Sequence, residues 1–187
     1  HRTLEPLVYD KNDAGELIPK KPEEILNVKV VDPGMGSGSF LVAALNYITD
    51  ALYNSLEYHG RVKSQVDGFR VTLPFGSKAT GEMGEMFIPV LAGEDGFEPR
   101  LKARLKRYVV ESCIYGVDLN PLAVELAKLS LWVETMDREL PFGFMDHKLK
   151  TGNSLVGCWF DRFREYPVMA WMREGGDKDH KGVNHEK

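Results

Sequence analysis

The stretch Val28-Lys29-Val30-Val31-Asp32-Pro33-Gly34-Met35-Gly36-Ser37-Gly38-Ser39-Phe40-Leu41 constrains the fold more than any other part of the chain. Val28, Val30 and Val31 are β-branched and suit a buried strand. Asp32 and Pro33 end it, because proline has no N–H for the next ladder bond. Gly34, Gly36 and Gly38 allow a sharp turn and a close approach to the backbone. Phe40, Leu41, Leu45, Ile48, Leu52 and Leu56 then recur at near-helical spacing, which predicts an amphipathic helix. A strand running through a glycine turn into a helix leaves free N–H groups and a positive helix end at the turn. That arrangement suits a nucleotide-type ligand.

The spacing narrows the ligand. A dinucleotide site wants G-x-G-x-x-G, and the frame starting at Gly34 has Ser39 where the third glycine belongs. A P-loop wants Gly-Lys followed by Ser or Thr, and the chain has none. The Asp32 carboxylate disfavours a pyrophosphate and suits a ligand carrying an amine. The bland alternative is a Gly/Ser loop without a ligand, but three glycines cost backbone entropy that a plain connection need not incur.

Around this stretch the chain has 187 residues, enough for one domain with a sizeable core. Hydrophobic residues make up 43% and charged residues 28%, ordinary values for a globular protein. No apolar run is long enough for a membrane span. Two cysteines, Cys113 and Cys158, lack paired-motif spacing, so neither a metal site nor a disulfide framework is expected, and a reducing cytoplasm is the default. The absence of a starting Met suggests a piece of a longer protein. A net charge of −4 argues against this segment as the principal DNA-gripping surface.

Leu4 to Val8 reads as a short helix, followed by a polar connector holding Pro19 and Pro22. Residues 60–98 are punctuated by seven glycines and show little helical period, with Phe69–Leu73 as a short strand. Residues 99–112 return to helix, with Leu101, Leu105, Tyr108 and Val109 on one face. Lys102, Arg104, Lys106 and Arg107 form a solvated face there, or a nucleic-acid patch. Cys113–Asp118 is a second strand ending in an acid. Asn120 is a good N-cap and Pro121 fits the first helical position. Leu122, Leu126, Leu129 and Val133 recur at i, i+4, i+7 and i+11, which predicts a buried stripe. Residues 137–150 read as a turn, Trp159–Trp171 as an aromatic segment mixed with arginines, and 173–187 as a polar tail.

Asp32-Pro33-Gly34-Met35-Gly36-Ser37-Gly38-Ser39-Phe40-Leu41 resembles the cofactor motif of adenine-specific DNA methyltransferases of the type IIG restriction-modification and phage-defence kind. There the usual form is Asp-Pro-Ala-Cys-Gly-Ser-Gly-Ser-Phe-Leu, so Gly34 and Met35 replace Ala and Cys. The resemblance implies S-adenosylmethionine over this loop, its amino group near Asp32 and its carboxylate on backbone N–H groups. By the same resemblance Pro33, Gly34, Gly36, Gly38 and Phe40 belong to the cofactor site.

Tyr115-Gly116-Val117-Asp118-Leu119-Asn120-Pro121 is similar to the second motif of that family. It implies that Asp118 accepts hydrogen bonds from both ribose hydroxyls and that Leu119 packs on the adenine. The position is physically apt, because open α/β sheets bind ligands at the carboxyl ends of their strands. Asp118 lies 86 positions beyond Asp32, against roughly 20 in a simple nucleotide-binding unit, so an insertion separates the two. Gly152-Asn153-Ser154-Leu155 resembles the third motif and would place the Asn153 amide on the adenine edge, although Gly-Asn-Ser is equally a plain turn.

These motifs imply a partial Rossmann-like α/β methyltransferase fold. An N-terminal helix and connector would span 1–26, the cofactor domain 27–172 with an insertion at about 60–98, and the tail 173–187. The family's catalytic tetrapeptide contains Pro-Pro, which this chain lacks, so no catalytic residue is expected here and the chain alone should not methylate DNA. DNA would be bound mostly through other regions of the protein. Other readings are a methyltransferase acting on RNA or protein, an NAD-dependent oxidoreductase, and an inactive DNA-binding scaffold.

Overall fold

A computed structural model describes residues 3–65, 67–73, 84–89, 96–135 and 145–155. The aromatic segment and the polar tail lie outside these residues. The chain divides into two units, His1–Gly152 and Asn153–Lys187. The fold of the first unit is mixed α/β, with a three-stranded parallel sheet.

The first unit opens with α1 (Glu5–Val8), close to the expected helix. The connector is more structured than expected. It holds a hairpin of β1 (Tyr9–Lys11) and β2 (Leu17–Pro19), then α2 (Pro22–Asn27). Gly15, at φ +81°, makes the hairpin turn possible, and Pro22 sits at the start of α2, where its missing N–H costs nothing.

The parallel sheet has the order β3–β7–β8. β3 is Val30–Asp32, shorter than the predicted strand, with Val30 buried but Val31 58% exposed on the opposite face. The glycine loop leads into α3 (Ser39–Tyr58), whose buried face includes Leu41, Ala44, Leu45, Ile48, Leu52 and Leu56. Phe40 falls outside that face and is 54% exposed. The insertion folds as an antiparallel sheet of β4 (Val62–Gln65), β5 (Gly68–Leu73) and β6 (Gly84–Pro89). It is anchored by a 3.9 Å stack of Phe69 on Phe97, the first residue of α4 (Phe97–Cys113).

On α4, Leu101, Leu105, Val109 and Val110 are buried. Three of its basic residues are committed to ion pairs: Lys102 with Asp50 and Glu98, Lys106 with Glu134, and Arg107 with Glu111. That favours a solvated face over a nucleic-acid patch. Cys113 closes the helix instead of opening the next strand; burial pushes its thiol up to about 11.

β7 (Ile114–Asp118) lies between β3 and β8 (Leu149–Thr151), parallel to both. β8 takes the end of the stretch read as a turn. α5 (Pro121–Thr135) joins the two strands. Its predicted buried stripe is the exposed one: Leu122, Leu126, Leu129 and Val133 face outward, while Val124, Ala127, Lys128, Leu131 and Thr135 face the core. Both faces satisfy a helical period, so periodicity alone did not choose. Packing did, because Ala127 stands against the backbone of Gly38, where a leucine would not fit.

No helix among the described residues is long and apolar enough to cross a membrane.

Candidate functional site at the carboxyl edge of the parallel sheet

Parallel pairing sets the carboxyl ends of β3, β7 and β8 along one edge. Asp32 stands opposite Gly116, and Asp118, two residues further along β7, stands opposite Thr151. The glycine loop crosses this edge from the end of β3. Gly36 and Gly38 have φ of +54° and +84°, a left-handed conformation that glycine adopts without strain. Gly34 has no such requirement, and nothing lies within 4 Å of where its Cβ would be. Alanine, the residue of the resembled motif, would therefore also fit at position 34.

Most of the loop's own N–H groups are not free, contrary to expectation. Gly34 N–H donates to Asp32 Oδ1 (3.1 Å), Met35 N–H to the Val117 carbonyl (3.2 Å) and Gly38 N–H to the Met35 carbonyl (2.9 Å). Gly36 N–H donates to Asp118 Oδ2 at 2.8 Å, tying the glycine loop to the acid of β7. The available donors are at the start of α3 instead. Gly38 is its N-cap, no side chain caps it, and helical geometry leaves the N–H groups of the exposed Ser39 and Phe40 without intrahelical acceptors.

Asp118 is the most constrained group at this edge. Its Oδ1 accepts the Asn120 N–H at 2.8 Å, and its carbonyl accepts the Gly152 N–H at 2.9 Å. The hydrogen bonds from Asn120 and then Gly36 hold its carboxyl below the usual carboxylate range. A carboxylate can accept at about four lone-pair sites. Asn120 and Gly36 occupy one position on each oxygen and a weaker contact with the Leu119 N–H draws on a third, so the carboxylate keeps acceptor capacity for a ligand. Asn120 caps α5, its Oδ1 accepting the Leu122 N–H at 3.0 Å.

The edge thus gathers Asp32, Pro33, Gly34, Gly36, Gly38 and Asp118 around one loop. Phe40 and Leu119 are exposed beside them, at the start of α3 and directly after Asp118; Leu119 is 71% exposed. Asn153 begins the second unit, where its Oδ1 accepts the Leu155 N–H at 3.0 Å in an Asx turn. Sequence reasoning passed over Met35 and Gly116. Met35 is buried beneath the loop. Gly116 was signalled by position, since glycine inside a strand marks a close approach.

This geometry sets an ionised, bidentate acceptor beside a helix start with open donors. It can hold a ligand bearing a diol and an anionic group.

Residues 112–181 match the profile of the Eco57I restriction-modification methylase family. The chain is similar to restriction-modification methylases. It is also 25% identical over 148 residues to a protein of Methanocaldococcus jannaschii provisionally named a type II restriction enzyme and methyltransferase. That alignment covers 74% of this chain and 9% of the relative, so the chain spans under a tenth of the relative's length. No solved structure matches the chain significantly. The methylase match takes in β7, α5 and β8, and hence Asp118, Leu119 and Asn153.

Proposed function

We propose that the first unit is the cofactor-binding part of a Rossmann-like methyltransferase and that it binds S-adenosylmethionine. We propose further that the whole protein methylates the exocyclic amine of adenine in DNA within a restriction-modification or phage-defence system. The observation that carries this reading is the 2.8 Å bond from Gly36 N–H to Asp118, which joins the two cofactor-type motifs into one site.

The residues present fit that cofactor. Asp118 would accept both ribose hydroxyls through the acceptor capacity its backbone bonds leave. Asp32 would face the amino group, and the open N–H groups at the start of α3 the carboxylate. Leu119, directly after Asp118, would cover the adenine. When bound, the cofactor supplies an electrophilic methyl group on a sulfonium. The described residues bind and orient it. The residues that grip a flipped adenine would lie elsewhere in the protein, and this chain alone would be inactive. DNA and a cytoplasmic setting follow from the same reading.

Calorimetry with S-adenosylhomocysteine tests it. Charge-assisted hydrogen bonds contribute about 1.5–3 kcal/mol each, and tenfold in affinity is about 1.4 kcal/mol. Losing two predicts at least a ~100-fold weaker complex for Asp118→Ala. Unchanged affinity in a folded variant would refute the ribose role. Tight NAD binding by the wild type, with none of S-adenosylhomocysteine, would refute the methyltransferase reading itself.

A further inference from the structure

We propose that Met35 and Gly116 are a size-matched pair that seats the glycine loop on β7, which makes Met35 a positioning residue for the Asp118 carboxylate. The loop touches β7 at three consecutive levels. Met35 N–H donates to the Val117 carbonyl, the Met35 side chain lies over Gly116, and Gly36 N–H donates to Asp118 Oδ2. Met35 is 4% exposed, so its thioether is packed into the unit. A Cβ on Gly116 would collide with Met35 Sδ and stand 3.0 Å from Leu41 Cδ1 and 3.2 Å from Leu149 Cδ2. The space a Cβ would need is the space the methionine fills.

The consequence for Asp118 is geometric. A Cβ at residue 116 displaces the Met35 side chain, and because that side chain is buried with little room to turn aside, the displacement passes to the backbone of residue 35 and on to Gly36. The bond from Gly36 N–H to Asp118 then lengthens, and hydrogen bonds weaken steeply once distance and alignment are lost. One of the two clamps on the carboxylate goes with it. Flexible thioethers fill irregular gaps well, and here the gap exists because residue 116 has no side chain.

The affinity readout rests on the proposed cofactor; the exchange readout does not. The test uses the intact protein as Gly116→Ala, Met35→Cys/Gly116→Ala and Met35→Leu. Hydrogen exchange at the peptide holding Gly36 and calorimetry with S-adenosylhomocysteine are measured on each. Gly116→Ala is expected to speed exchange of the Gly36 amide and weaken binding at least tenfold. The double variant, with a smaller side chain at position 35, is expected to recover most of both, and Met35→Leu, of similar volume, to stay near wild type. If Gly116→Ala does not accumulate as folded protein, recovery of folding by the double variant is the rescue. A double variant no better than Gly116→Ala alone overturns the pairing, as does Gly116→Ala with unchanged exchange and affinity. If the wild type binds no S-adenosylhomocysteine while exchange follows the expected order, the cofactor reading fails and the pairing stands.

Discussion

Replacing Gly38 by alanine isolates what the helix start demands. Gly38 has φ +84° and ψ +12°, the left-handed region, where a residue with a Cβ pays about 1–2 kcal/mol. The new Cβ would also stand 3.0 Å from Ala127 Cβ and 3.1 Å from Ala127 Cα. Neither atom can rotate away, so α5 or the loop must shift, an overpacking cost of about 1–3 kcal/mol. Together these predict a loss of about 2–5 kcal/mol. At roughly 2–4 °C per kcal/mol for a domain of this size, the melting temperature should fall by about 4–20 °C. Gly34→Ala is the control, because that site needs no positive φ and is open. Both substitutions stiffen the unfolded chain alike, by about 0.4–1 kcal/mol, so that effect cancels in their difference. Thermal and urea unfolding of the two proteins side by side would decide it. Equal midpoints would refute both the strain and the contact with Ala127.

Two further outcomes follow from packing and charge. Leu45→Ala, in the fully buried face of α3, should cost about 3–5 kcal/mol in urea unfolding, whereas Leu126→Ala on the outer face of α5 should cost under about 1 kcal/mol; similar losses at both would mean that α5 is turned the other way. Asp118 has a depressed folded-state pKa, so the stability it contributes is complete above its unfolded value of about 3.9 and is lost as pH falls through the lower folded value. The stability gap between wild type and Asp118→Asn should therefore shrink as pH drops below about 4, and a gap that widened there would contradict the hydrogen bonds assigned to Asp118.

The sequence made the glycine loop, α3, α4, β7 and the start of α5 legible because local chemistry decides each of them. Glycines turn the chain after Asp32, Leu41 to Leu56 repeat with a helical period, and Asn120-Pro121 is a helix start on its own terms. The three-residue strands other than β3 were invisible for the opposite reason. β1, β2 and β8 carry no pattern long enough to read and exist through their pairing partners. The orientation of α5 was unreadable because it carries two apolar stripes, and the choice between them was made by Gly38, 89 positions from Ala127. At the site, the acids and glycines could be named in advance. The bonds among them could not, since the Gly36 amide that seemed free for a ligand is engaged by an acid 82 residues away.

Only Leu119 and Asn120 lie between β7 and α5, and each step is fastened: Asp118 receives the Asn120 N–H, and Asn120 receives the Leu122 N–H. So short a corner has almost no freedom left to lose. Affinity is eroded when a partner must first be ordered, and here that ordering was completed when the strand and helix folded. A molecule bound there as proposed would therefore meet the acid side of the site as a finished surface, and the entropy cost of binding would fall on the ligand.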